Sequence, residues 1–272
     1  MQGQPETVGG DEGVHPEILC ANVDPLGTRR ARPPAGTVDR AELSVGRSRL
    51  TTVVAFTGDF ETHLTAGAGQ VAALAAFAAE HGLTFLHIEL DRGVTTSQPM
   101  LTLRGSGGLA DRLDVAHQWC RRLREAGITP TRVKIEASPW TDGVPQHDEA
   151  AADQPAYRYF EHHLKLRLPP GMADLIALTD LVEPHGARLS RNALKRSADG
   201  AEIRFVNQRC HRVGLASATS RLDRLVAALR DAGHDIVSVE QEYVVHDDNL
   251  RIDDGWLPRE EPVDTSWTPS RR

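Results

Sequence analysis

Glu61 and His63 stand two residues apart in Phe60-Glu61-Thr62-His63-Leu64, and the pattern returns a hundred positions later as Phe160-Glu161-His162-His163-Leu164. Two residues apart on a strand share a face, about 6.5–7 Å from each other. Imidazole is the side chain whose ordinary pKa lies nearest neutrality, so a His beside a carboxylate is equipped for proton transfer. Glu61, His63, Glu161 and His163 are therefore the candidate catalytic residues. Imidazole with carboxylate is also a common ligand set for zinc, manganese or iron. No HExxH or CxxC spacing accompanies it, so the sequence supports a divalent metal only weakly and leaves metal and cofactor open.

Only three of the 31 basic residues are lysines, Lys134, Lys165 and Lys195. Lys165, Arg167, Arg188 and Arg204, with Arg191 and Arg209, concentrate cations in the second half of the chain. Such groups suit a phosphate or carboxylate. Lys134, Glu136 and Glu240 fall on strands expected to share the same face, completing the substrate-binding candidates. The second half would bind an anion and the first supply acid–base groups. Three other features read as structural. Asp247-Asp248-Asn249 with Asp253-Asp254 lacks EF-hand spacing and reads as a solvated turn. Gly105-Ser106-Gly107-Gly108 reads as a plain loop without Gly-Lys-Ser/Thr, and His117 sits within a helix.

The elements that must position these residues repeat as well. His81-Gly82 answers to His185-Gly186, Leu123-Arg124-Glu125-Ala126-Gly127 to Leu229-Arg230-Asp231-Ala232-Gly233, and Val133-Lys134-Ile135-Glu136 to Val237-Ser238-Val239-Glu240. Periodicity predicts strands over 60–65, 83–91, 99–104 and 132–137, with helices from 71 to 81 and over 109–126. In the second copy it predicts strands over 159–168, 188–194, 203–208 and 236–245, with helices over 172–183 and 219–232. Residues 47–56 read as an extra leading strand.

The expected class is α+β, with two tandem βαββαβ units related by a pseudo-twofold. The boundaries are a flexible N-terminal segment 1–46, a first unit 47–140, an acidic flexible linker 141–156, a second unit 157–250 and a flexible tail 251–272. Alternation puts Phe60, Leu64, Leu86, Ile88, Val133 and Ile135 against the helices. The open face takes Glu61, His63, Thr65, His87, Glu89, Lys134 and Glu136. From the second unit it takes Glu161, His163, Lys165, Arg167, Arg188, Arg204, Gln208, Glu240 and Glu242, with His162 turned toward the helices or an edge.

The βαββαβ order is the split-βαβ pattern of the ferredoxin-like fold. Tandem units of this kind resemble the dimeric α+β barrels, in which two such sheets face each other and enclose a cavity. That resemblance implies converging polar faces. His63-Leu64-Thr65 also resembles one motif of the 2H-type phosphoesterases, which carry two His-x-Thr/Ser motifs on pseudo-symmetric lobes; here the second is His163-Leu164-Lys165.

A net charge of −7 and only 5% aromatic residues argue against nucleic acid, which needs a basic footprint or stacking platforms. The chain contains no apolar run long enough to span a bilayer and opens without a signal-peptide pattern, so no membrane partner is expected. Three scattered cysteines, Cys20, Cys120 and Cys210, read as reduced thiols of a cytoplasmic protein. The expectation is an enzyme or ligand-binding protein with a polar His/Glu/Lys/Arg cleft, acting on a small anionic metabolite by acid–base chemistry. A non-catalytic regulatory or protein-interaction module is the alternative, and a 2H-like phosphoesterase the second.

Overall fold

A computed structural model describes residues 55–152, 154–169, 174–194 and 199–257. The expected segment 1–46, most of the leading strand 47–56 and the tail beyond 257 lie outside these residues; Ala55 and Phe56 are not in a strand. Among the described residues the architecture is α+β, with eight antiparallel strands and five α-helices.

The chain runs β1 (Thr57–Ala66), α1 (Val71–His81), β2 (Thr84–Leu90), β3 (Ser97–Gly108), α2 (Leu109–Glu125) and β4 (Pro130–Ala137). After the short α3 (Asp148–Ala151) come β5 (Tyr159–Leu168), α4 (Leu175–Val182), β6 (Ala187–Asn192), β7 (Glu202–His211), α5 (Leu215–Asp231) and β8 (Asp235–Asp247). The strands close into a barrel in the order β1-β3-β2-β6-β7-β5-β8-β4. Each half thus has the strand order fourth-first-third-second, and the halves join through β2–β6 and β4–β8. Because every neighbouring pair is antiparallel, β1 and β5 run in opposite directions along the barrel.

The apolar cores lie between the barrel wall and the helices. Leu74 and Phe77 of α1 and Ala116, Cys120 and Leu123 of α2 pack against Phe60, Leu64, Leu101, Val133 and Ile135. Leu178 and Val182 of α4 and Leu222, Leu225 and Leu229 of α5 pack against Leu164, Leu166, Leu189 and Val206. Alternation along each strand then turns the polar residues inward. No helix of the described residues is long and apolar enough to cross a membrane.

Several expectations change. Gly105-Ser106-Gly107-Gly108 is the end of β3, paired with β1 through Thr57↔Gly108, and not a loop. On β2 the faces are exchanged. Leu86 and Ile88 pair with Met100 and Gln98 on the inward face, while His87 and Glu89 point outward to Ser97 and Arg191. Phe85 is the residue that packs on the helical core, and a strand with apolar groups on both faces gives alternation nothing to separate. On β7, Val206 and Cys210 face the helices, carrying Arg204 and Gln208 outward with them.

Residues 141–156 do not form a free tether. Thr141, Val144 and Ala151 are buried, and Asp148 accepts hydrogen bonds from Gly214 N (2.8 Å) and Ser217 Oγ (2.9 Å) at the start of α5. Gly214 has no room for a side chain, since a Cβ would lie 2.4 Å from the His147 backbone.

The acidic loop is likewise no solvated turn. The chain leaving β8 forms a short 3-10 turn, Leu250–Asp253, and crosses one end of the barrel. Asp253 there meets β4 through Arg132, β7 through Arg209 and β3 through Gln98. Trp256 packs with Leu257, Leu90 and Ile88, and its Nε1 donates to Leu189 O. Residues 251–257 therefore plug this end, where a flexible tail was expected.

His162 is buried among the second-half helices. Its Nε2 lies 3.0 Å from the Gln241 Nε2 donor, so it accepts, and its Nδ1 donates to Gln208 Oε1 at 2.8 Å. The Gln208 amide nitrogen is used on His185 O. Burial, against the opposing Gln208 hydrogen bond, depresses the imidazole to a pKa of about 4.

Two outcomes follow from these packing arrangements. Asp253→Ala leaves Arg132 and Arg209 short of a buried counterion and is expected to cost about 3–5 kcal/mol in urea unfolding; an unchanged midpoint would refute the plug's structural role. His162 is the unfolded chain's proton acceptor near pH 6.5 but stays neutral in the fold until about pH 4. Its contribution is therefore fully present above pH 6.5 and lost as pH falls toward 4, about 3 kcal/mol in all. Between pH 7 and 4 wild type should lose that much more stability than His162→Gln, and parallel pH curves would contradict the assignment.

Candidate functional site

A chain of alternating charge runs through the barrel from the plug to the opposite mouth. Beneath the plug, Arg132 Nε donates to Asp247 Oδ1 (2.9 Å), and its Nη1 lies 3.0 Å from Asp253 Oδ2. Arg209 links Asp253 (2.7 Å) to Glu161 (2.8 Å). Lys134 Nζ bridges Glu161 Oε2 and Glu136 Oε1, both at 2.7 Å. Glu136 Oε2 then lies 2.8 Å from His63 Nε2. Beyond His63, Glu61 is 3.6 Å away and accepts from Arg104 Nε at 2.8 Å. Arg104 is half exposed at the mouth.

Electrostatics differ along this chain. Burial works against the charges of Arg132 and Lys134, yet their carboxylate neighbours raise both pKa values. Burial alone would raise Glu136, but Lys134 and His63 hold it at about 2. Glu161 is held well below the usual carboxylate range against its burial by Arg209 and Lys134. Glu161 is thus a fixed anion between two cations. Glu242 is the opposite case: burial, then the charges of Glu136 and Glu61, push its carboxyl well above the ordinary value.

The two imidazoles occupy matching registers. His63 pairs with Thr102 and Lys134, and His163 with Asn207 and Glu240. Glu61 pairs with Arg104 and Glu136, and Glu161 with Arg209 and Glu242. The strand pairing therefore matches Glu136 to Glu242, not to Glu240 as the sequence alignment has it. Each Nδ1 is anchored, His63 on Thr102 Oγ1 (3.1 Å) and His163 on Asn207 Oδ1 (2.8 Å). Asn207 Nδ2 donates to Ser190 Oγ at 2.9 Å, which turns its Oδ1 toward His163. Nδ1 of His163 must then carry the proton, and Nε2 keeps its lone pair, 3.6 Å from Glu242 Oε2. His63, Glu136, Glu242 and His163 come from β1, β4, β8 and β5, four successive strands across the seam between the halves.

The sequence-selected residues divide accordingly. Glu61, His63, Lys134, Glu136 and His163 come together, with Glu161 at their buried base. Glu240 lies beside His163 in register. Lys165 lies two residues beyond His163 toward the mouth and has no ion-pair partner among the described residues. Arg167 is engaged by Asp199 and Arg188 by Glu183. Arg204 is on the outer face with Glu202 and takes no part in the interior, a correction to its expected placement. Thr65 is buried toward the plug while Lys165 lies toward the mouth, so the two His-x-Thr-like segments run toward opposite ends of the barrel.

Arg132, Asp247 and Asp253 were missed because their charges are joined only through the closed barrel. Thr102 and Asn207 were accessible through register, as the strand partners of His63 and His163, whereas Arg209 and Glu242 were noted without a place in the site. Compared with protein-family models and with curated protein sequences, the chain matches none of them.

Proposed function

We propose that the chain is a duplicated ferredoxin-like protein whose halves pair as in the dimeric α+β barrels, and that the mouth of its barrel opposite the plug binds a small polar metabolite. Support for the duplication comes from the shared strand order and the matched registers of Glu61/Glu161, His63/His163 and Glu136/Glu242. In this reading His63 and His163 transfer protons through Nε2. Lys165, unpaired among the described residues, receives a carboxylate or phosphate of the ligand. The observation that carries the proposal is the pair of Nδ1-anchored imidazoles, each with Nε2 beside an interior glutamate. A purely structural ion-pair network has no need for two oriented imidazoles still partly open to solvent at the mouth.

A protein-interaction role is the second reading. It is favoured by Val237 and Val239, exposed on the outer face of β8, and by Ile176, exposed on α4.

The deciding experiment is a thermal-shift screen of small carboxylates and phosphorylated metabolites against wild type, Lys165→Ala and His63→Gln/His163→Gln. A ligand at 100 times its dissociation constant adds about 2.7 kcal/mol, roughly 5–10 °C for a domain of this size. The expected result is a shift in wild type, weakened by Lys165→Ala and abolished in the double variant. A screen without any shift, or shifts indifferent to these substitutions, sinks the proposal and leaves the outer apolar face as the functional surface.

A further inference from the structure

We infer that the seam between the two halves is a binding site for one divalent transition-metal ion, with Glu136, His163 and Glu242 as ligands and His63 completing the set. The inference deepens the proposed use of the mouth and rests on it only for the metal's role, not for its binding.

Geometry comes first. Glu136, His163 and Glu242 each place a ligand atom within 4.8 Å of the others. Bonds of about 2.0–2.2 Å in tetrahedral geometry hold ligand atoms about 3.3–3.6 Å apart. Closing the site therefore takes side-chain movements of up to about 1 Å. His63 Nε2, 2.8 Å from Glu136 Oε2, stands next in line.

The surroundings point the same way. His163 has the outer-shell partner a metal-binding imidazole requires: Asn207 takes the Nδ1 proton and is itself fixed by Ser190, leaving Nε2 aimed inward. These anchors lie on β6 and β7, outside the ligand set. The cations nearest the seam are already engaged, and Lys165, toward the mouth, pairs with neither Glu240 nor Glu242 among the described residues. Glu61 and Glu161 are answered by Arg104, Arg209 and Lys134, and Lys134 also serves Glu136. Glu242 has no lysine or arginine within ion-pair distance among the described residues and faces the His163 Nε2 lone pair at 3.6 Å. Glu240, on the same face of β8, has none among the described residues. A dication at the seam supplies the missing positive charge. Two imidazole nitrogens with two carboxylates select borderline ions such as zinc, manganese, iron(II) or cobalt over calcium or magnesium, which prefer oxygen alone.

The test uses the full chain, stripped by chelator and titrated with Co(II). The expected result is one cobalt per chain by elemental analysis, with visible ligand-field bands that Zn(II) displaces. Glu242→Gln and His163→Gln should each weaken cobalt at least tenfold. Glu242→Gln removes one of several crowded carboxylates and is expected to fold; circular dichroism and an undiminished melting temperature verify this. No ligand-field bands in wild type, or folded variants that bind cobalt as wild type does, would overturn the inference. Metabolite shifts in chelator-treated protein that binds no cobalt would overturn the metal site while keeping the mouth as a ligand site. Stoichiometric cobalt lost in both variants, with no metabolite shift in either metal state, would keep the metal site and remove the small-molecule reading.

Discussion

Closing eight antiparallel strands removes a polar sheet face from bulk water, and every charge on that face then needs a counterion within reach. The rest of the interior follows from this requirement. Unpaired, Glu136 or Arg132 would be too costly to bury; joined through Lys134, Glu161, Arg209 and Asp253, each has an opposite charge on both sides. Stability from apolar burial is supplied elsewhere, in the two cores between the wall and the helices. This division leaves the interior free to be ionic.

The two ends of the barrel are unequal although their registers match. Arg209 and Arg104 occupy equivalent positions, yet Arg209 lies beneath the plug and Arg104 is half exposed. Among the described residues the difference comes from residues 250–257, which place Asp253 and Trp256 over one end. Two halves of the same strand order thereby differ along the barrel axis. One glutamate–arginine pair serves as a buried foundation and its twin as part of an accessible rim.

Much of the fold was legible in the sequence because its signals are local. The helix stop at His81-Gly82, with Gly82 left-handed, and the strand Tyr159–Leu168 follow from cap chemistry and period-two alternation. The same alternation put Glu61, His63, Lys134, Glu136 and His163 on open faces, and only the resemblance to the barrels implied that those faces converge. What could not be read was long-range. β2 carries apolar groups on both faces, so its register depended on which of them met the helices. Asp247 and Asp253 look like loop acids until the chain brings Arg132 and Arg209 to them. The match of Glu136 to Glu242 required the strand partners of Glu61 and Glu161, because sequence similarity alone favoured Glu240.

The seams carry a consequence for how the molecule assembles in time. Within each half the longest pairing, Tyr159↔Val244, spans 85 residues, whereas β2 must find β6 and β4 must find β8 across a hundred residues of chain or more. Contacts of such separation form slowly, because chain entropy is lost before they contribute. Until both seams close, the carboxylates and guanidinium groups of the two halves remain hydrated and screened by ordinary salt. Dehydration of the charges thus belongs to the late part of folding, when the two halves lock together and residues 250–257 are drawn over the finished end.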